Sequence, residues 1–220
     1  MIATDVLLKL VRAAVNEFST EADSFSEMVD DMLVSFISMA APMLAVEVLP
    51  AYMMTSSVTY AKEEANIFFT RPDGRTIVRI PVPEDFCRFV SFNAEGWSAP
   101  AGVLHSSLTS FYQSQYSSSP GIGSGSAVPA VFLKEHFDGG ELRNYIEAHS
   151  LEAPAACTMS YVCTPAVNDI QVDMDARLSG ALAYYTASLY LQSINDPNGS
   201  KAAYDMAQNL IVKLNSISII

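Results

Sequence analysis

The chain has 220 residues, of which 24 are acidic and 12 basic, with half of the residues hydrophobic and 16% charged. That length can bury a substantial core, and the composition is too apolar for a disordered tail. A formal charge of −12 argues against broad electrostatic gripping of nucleic acid, because phosphates would be repelled rather than neutralised.

Three cysteines, Cys87, Cys157 and Cys163, are an odd number without C-x-x-C spacing. They signal neither a disulfide framework nor a zinc knuckle, and a reducing compartment fits them. The apolar start of the chain is interrupted by Asp5, Lys9 and Arg12, so no secretory signal is predicted and the mature chain is expected to start at Met1.

The first predicted helix carries Val6, Leu7, Leu10, Val11, Ala14, Val15 and Phe18 on one face, with Thr4 and Asp5 suited to its start. Ser24 and Glu27 form a capping box for a second helix through Met28, Met32, Leu33, Phe36 and Ile37, which Pro42 should bend or end. The stretch Met32 to Met54 has the length of a membrane span. Glu47 inside it, Pro42 and Pro50, and flanks with Asp30 and Asp31 but no basic cluster favour a buried core helix instead.

From Asn66 the pattern changes. Ile67 to Thr70 and Arg75 to Ile80 flank Pro72-Asp73-Gly74 and predict a hairpin, and Arg88 to Phe92 predicts another strand. Residues 114–126 are rich in Ser and Gly, the composition of a mobile loop or arm. Val131 to Leu133 and Met159 to Cys163 predict two further strands, separated by Asp138-Gly139-Gly140 and a short polar segment.

Asp175 opens two helices separated by Asn195 to Gly199 and expected to pair as an antiparallel hairpin. Leu178, Leu182, Tyr185 and Leu189 line the first, and Tyr204, Ala207, Ile211 and Leu214 the second. Ala181, Ala183, Ala187, Ala202, Ala203 and Ala207 permit close approach. The predicted fold is α+β: N- and C-terminal helices form a helical bundle, with a small antiparallel β domain inserted. The expected division is 1–62 for the N-terminal helices, 63–168 for the β-rich insert, and 169–220 for the closing helical hairpin.

Catalytic motifs are missing. Gly121, Gly123 and Gly125 lack the Lys-Ser/Thr of a phosphate loop, and no G-x-S-x-G elbow occurs. His105, His136 and His149 have no acid at motif spacing, although His105 with Ser106 and Ser107, or His136 with Asp138, could converge in space. Asp169, Asp173 and Asp175 lack the glycine and closing Glu of a calcium loop and read as acids entering a helix N-terminus. Cys157 and Cys163 would share a strand face, but as small core residues rather than a redox pair. No catalytic, cofactor or metal residue is assigned. Trp97, Phe111, Tyr112, Tyr116, Tyr185 and Tyr204 are candidate interaction residues; for Phe111, Tyr112 and Tyr116 a place in the core is equally compatible with the sequence.

The run Ile80-Pro81-Val82-Pro83-Glu84-Asp85-Phe86-Cys87-Arg88-Phe89-Val90-Ser91-Phe92, followed by Gly96-Trp97, carries a resemblance. It is similar to the strand, P-x-D-F-x-R, strand and tryptophan of the head-to-tail adaptor, or connector ring, proteins of tailed bacteriophages, particularly short-tailed and crAss-like phages. Ser160-Tyr161-Val162 ahead of Asp175 to Lys213, and the helices ahead of Ala40-Ala41-Pro42, resemble other parts of that pattern. Independently of the family, Pro83 and Asp85 suit a tight turn, Phe86 and Phe89 suit a core, and Arg88 suits an acid partner. The Met-rich segment 32–54 and the Ser/Gly-rich stretch 114–126 depart from a typical member.

The resemblance implies a non-enzymatic virion component assembled in the bacterial host cytoplasm and placed in the neck or tail. It would be a homo-oligomeric ring, expected to be a dodecamer, docking on the portal protein and on neighbouring neck or tail rings. Genome DNA would pass through its channel without specific binding, and no membrane is expected. The alternative from the residues alone is a membrane-associated or secreted binding module using segment 32–54.

Overall fold

A computed structural model describes residues 1–19, 30–61, 67–72, 74–116, 130–138, 140–150 and 154–217. The chain divides into two units, one made of Met1–Met54 with Cys163–Ile220, the other of Thr55–Val162.

In the first unit, helix α1 (Thr4–Phe18) buries Leu7, Leu8, Val11, Ala14 and Val15 along one stripe, while Val6 and Leu10, expected on that face, are exposed and Leu8 takes a place in it. Helix α2 (Asp30–Glu47) runs through Pro42 instead of ending there. Leu33, Ile37, Ala40 and Ala41 before the proline and Leu44 and Ala45 after it are buried, and this packing on both sides offsets the lost backbone hydrogen bond. The capping box at Ser24 and Glu27 lies outside the described residues. Among the described residues no helix is long and apolar enough to cross a membrane.

Helix α4 (Ser179–Ser193) is buried nearly all round, with Leu182, Tyr185, Thr186, Ala187 and Leu191 facing different neighbours. It packs against α1, α2 and α5 (Pro197–Ile217). The predicted turn between α4 and α5 is shorter than expected, because Pro197 already occupies the first helical position, where its missing N–H costs nothing. Asn195 takes φ 63°, and Asp196 Oδ1 accepts the Gly199 N–H at 2.9 Å. Strands β1 (Ile2–Ala3) and β10 (Gln171–Val172) pair antiparallel in this unit. Asp175 accepts the backbone N–H of Arg177 at 2.8 Å, capping a 3-10 turn at Ala176–Leu178. The Arg177 side chain and backbone hold the Asp175 carboxyl down to about 2.

The second unit is built from sheet. Strands β3 (Phe68–Thr70), β4 (Thr76–Pro81), β8 (Glu141–Ser150), β7 (Ala130–Asp138) and β6 (Leu104–Ser106) lie in that order in one sheet. Strand β9 (Ala156–Cys163) lies between β2 (Thr55–Ala61) and β5 (Phe86–Ala94) in another. A short helix, α3 (Ser110–Ser114), follows β6. Buried residues come from both sheets: Val78, Ile80, Val131, Ile146 and Ala148 from the larger, Phe92, Cys157 and Met159 from the smaller.

The expectation of a helical bundle with a small antiparallel insert is therefore corrected. The fold is mixed α/β, with five helices and ten strands in three sheets among the described residues, and β6 runs parallel to β7. Two strands account for most of the difference. Thr55–Ala61 reads Thr-Ser-Ser-Val-Thr-Tyr-Ala and alternates between exposed and half-buried, so it shows no apolar period. Glu141–Ser150 carries Glu141, Arg143, Glu147 and His149, and its charges hide a strand that pairs along β7 on one side and β4 on the other.

Candidate functional site

The register of the larger sheet brings Arg79 opposite Glu147, and Glu147 opposite Phe132. Glu147 therefore lies on the central strand with its side chain on the same face as Arg79, Phe132, Lys134 and His149. Its side chain is fully buried, and it is an ion-pair hub. Oε2 accepts from Arg79 Nη2 at 3.0 Å and Nε at 3.3 Å, with Lys134 Nζ at 3.5 Å. Oε1 accepts from His149 Nε2 at 3.0 Å, Tyr112 Oη at 2.8 Å and Tyr116 Oη at 3.3 Å.

Helix α3 supplies the lid over this hub. It starts at Thr109, whose side chain accepts from the Tyr112 N–H, and none of the helix's own residues is buried. Polar anchors hold it instead. Lys134 Nζ donates to Tyr112 Oη at 2.5 Å, the Tyr112 and Tyr116 hydroxyls lie 2.9 Å apart, and Arg71 donates to the Gln115 carbonyl at 3.0 Å while stacking over the Tyr116 ring. Around these lie the rings of Phe111, Phe132, His105 and His149, in edge or tilted contact.

The electrostatics follow from burial and partners. Burial opposes ionisation of Glu147, but hydrogen bonds from His149 and Tyr112 and the Lys134 charge outweigh it and hold the carboxyl far below the usual range. Burial, then hydrogen bonding with Tyr116 and Glu147, pushes the Tyr112 phenol far up. Burial also raises Tyr116. With the Glu147 carboxyl held down and both phenols pushed up, charge-assisted hydrogen bonds clamp α3 to the sheet beneath it. His149 Nδ1 is buried without a hydrogen-bond partner among the described residues.

A second feature lies on α2. The segment from Met32 to Val46 contains no charged residue, and the helix is apolar all round rather than on one stripe. Such a helix belongs in an interior. Its inner side is buried, yet Met32, Met39, Met43 and Val46 remain between 40% and 53% exposed. They form one outer stripe, with Met32, Met39 and Val46 recurring every second turn.

The candidate interaction residues fall into different settings. Tyr112 and Tyr116 belong to the hub, and Phe111 stacks beside it. Trp97 is half-buried against Phe92, with ring centroids 5.5 Å apart. Tyr185 is buried in the helical unit, donating to Glu47 Oε1 at 3.2 Å, and exposed Tyr204 rests edge-on against it at 5.5 Å. In the motif, the Phe86 N–H donates to the Pro83 carbonyl at 3.1 Å, closing the expected turn. Asp85 accepts from Tyr161 Oη at 2.9 Å, and Phe86 lies against the Tyr161 ring. Phe86, Arg88 and Phe89 are half-buried on β5. Most of the Ser/Gly-rich stretch lies outside the described residues.

The sequence reading missed Glu147, Arg79 and Lys134. One signal was available: Tyr145, Glu147 and His149 alternate with Ile146 and Ala148, the period of a strand with an ionisable inner face. No protein-family model matches the chain, and no curated protein matches it.

Proposed function

We propose that the chain is a ring-forming structural protein of a tailed-phage virion, a head-to-tail adaptor that docks on the portal and continues the DNA channel towards the tail. The observation that supports this is the exposed outer row of methionines on α2, Met32, Met39 and Met43. An uncharged apolar helix face left open in a single copy suits a subunit whose neighbours cover it in an assembly. The motif Pro83-Glu84-Asp85-Phe86-Cys87-Arg88 and the closing helical hairpin give the family resemblance. The acid surplus fits a channel wall along which DNA slides, because few cations displace its counterions.

The test is quantitative mass spectrometry of density-banded virus-like particles, counting this chain against the major capsid protein. About a dozen copies per particle is the expected result for a closed neck ring. Absence from the particles overturns the reading.

A further inference from the structure

Four of the chain's ten methionines border one pocket in the helical unit. Met1, Met53, Met54 and Met174 meet there with Asp173 and Asp175 around a cavity of about 190 Å³. Three separate segments bring them together. Strand β1 pairs Ile2 with Val172, which sets Met1 level with Asp173. Met53 is the antiparallel bridge partner of Met174, and the Asp175 N–H donates to the Tyr52 carbonyl at 3.3 Å, extending that pairing by one residue. The Met174 N–H donates to the Val172 carbonyl at 2.8 Å, a three-residue turn centred on Asp173. The turn breaks the strand's alternation, so Asp173 and Met174 border the same pocket.

Packing alone does not ask for this grouping. Methionine's ordinary use is to fill irregular gaps in a core, and Met174, at 2% exposure, does so. Met1 and Met54, at 71% and 56%, fill none. What the four share is chemistry, since each thioether is a neutral, polarisable donor that suits soft cations, whereas calcium and magnesium take oxygen. The two carboxylates are placed differently. Asp175 is taken by Arg177, whose Nε and Nη2 donate to it at 2.9 and 2.8 Å. Asp173 accepts from a neutral group, Gln171 Nε2 at 3.4 Å, so it brings an anionic oxygen whose charge this partner does not answer.

We propose that this pocket binds a soft monovalent cation of the copper(I) class, with the thioethers of Met1, Met53, Met54 and Met174 as donors and the Asp173 carboxylate balancing its charge. Met53 and Met174 are the inner donors, while Met1 and Met54 stand at the mouth, where their flexible side chains can close over the ion. One carboxylate among neutral sulfurs matches a single positive charge. Zinc, which takes thiolate, imidazole and carboxylate, finds a poorer set here. The site belongs to the helical unit and stands or falls independently of the ring reading.

The experiment titrates silver(I), an air-stable stand-in for copper(I), into the full chain isotopically labelled at its methionine methyl groups, in chloride-free buffer, following each methyl by NMR. The readout is sulfur by sulfur, so silver taken by Cys87, Cys157 or Cys163 does not enter it. The methyls of Met1, Met53, Met54 and Met174 should shift and saturate together, at about tenfold less silver than moves Met39 and Met43, because converging donors raise one another's effective concentration. Met39 and Met43 are the internal control, exposed on a helix with no charge between Met32 and Val46. Zinc(II) and calcium(II) should move none of the four. Met54→Leu, at an exposed position, and Met174→Leu, nearly volume-conserving, should each weaken silver binding about tenfold. Pocket methyls that respond no earlier than those of α2 refute the site, as does unchanged binding in Met54→Leu, which decides the matter even if Met174→Leu fails to fold. A shift confined to Met54 also refutes it, because Cys163 lies alongside, its N–H donating to the Met54 carbonyl at 3.0 Å.

Discussion

Two carboxylates show how differently the units are held together. Glu47, at the end of α2, accepts from two neutral groups, Tyr185 Oη at 3.2 Å and Gln208 Nε2 at 2.5 Å. It sits half-buried at the margin of an apolar core, and its main effect is to help burial raise the Tyr185 phenol to about 12. Glu147 lies at the centre of a sheet, fully buried, with Arg79, Lys134, His149 and two tyrosines turned towards it. The helical unit is packed by shape and trimmed with hydrogen bonds, while the larger sheet and its lid are organised by charge.

That contrast predicts unequal costs for similar changes. Glu147→Ala removes the acceptor for two cations and leaves them partly buried and unpaired, which costs about 3–5 kcal/mol. Glu47→Gln keeps a neutral acceptor in place and should cost under roughly 1 kcal/mol. Urea unfolding of both variants measures the difference, with amide exchange in β4, β7 and β8 locating the first. Equal losses would erase the distinction between the units.

A smaller effect probes the close packing of the helical unit. A Cβ on Gly199 would lie 2.7 Å from the Phe18 carbonyl oxygen and 2.7 Å from Asp196 Oδ2. The first of these is backbone at the end of α1 and has no rotamer to change. Gly199→Ala should therefore cost about 1–3 kcal/mol, in the range of overpacked cores, read as a lower thermal midpoint. A neutral outcome would mean that the α1 end yields more readily than shape-based packing allows.

The same contrast explains what could be read from sequence. Helices α1 and α5 announce themselves through apolar spacing at 3.6 residues, because packing one face by shape leaves its period in the chain, whereas α4 is buried nearly all round and reads as a run of small and apolar residues. The hub leaves no such trace: Arg79, Tyr112, Lys134 and Glu147 are far apart in sequence and meet only through the register of β4, β8 and β7. Strand β2 was hidden for another reason, since Ser57 with Ser160 and Thr59 with Thr158 pair by hydroxyl hydrogen bonds on an exposed face. The α2 stripe was legible as composition but ambiguous in meaning, because core, membrane and subunit contact all call for uncharged apolar residues.

The mildest test separates the lid from the sheet beneath it. The folded state favours the neutral Tyr112 phenol, whose ionisation is raised far above its ordinary value by burial and by its partners. The stabilisation from this shift is fully present below about pH 10 and declines as pH rises further, because the unfolded chain then ionises its phenol and the folded one resists. Glu147 acts at the other end of the scale. Its lowered carboxyl stabilises the fold above the ordinary carboxylate range, and that contribution fades as pH falls through it. In a phenolate absorbance titration Tyr112 should therefore ionise only in the late step in which the sheet and its lid unfold, and Tyr112→Phe should take one phenolate out of that step while leaving the helical unit's Tyr185 transition in place. If Tyr112→Phe leaves the late step intact, α3 is not held by its bond to Glu147, and the lid owes its position to ring packing against Phe132 and His149 instead.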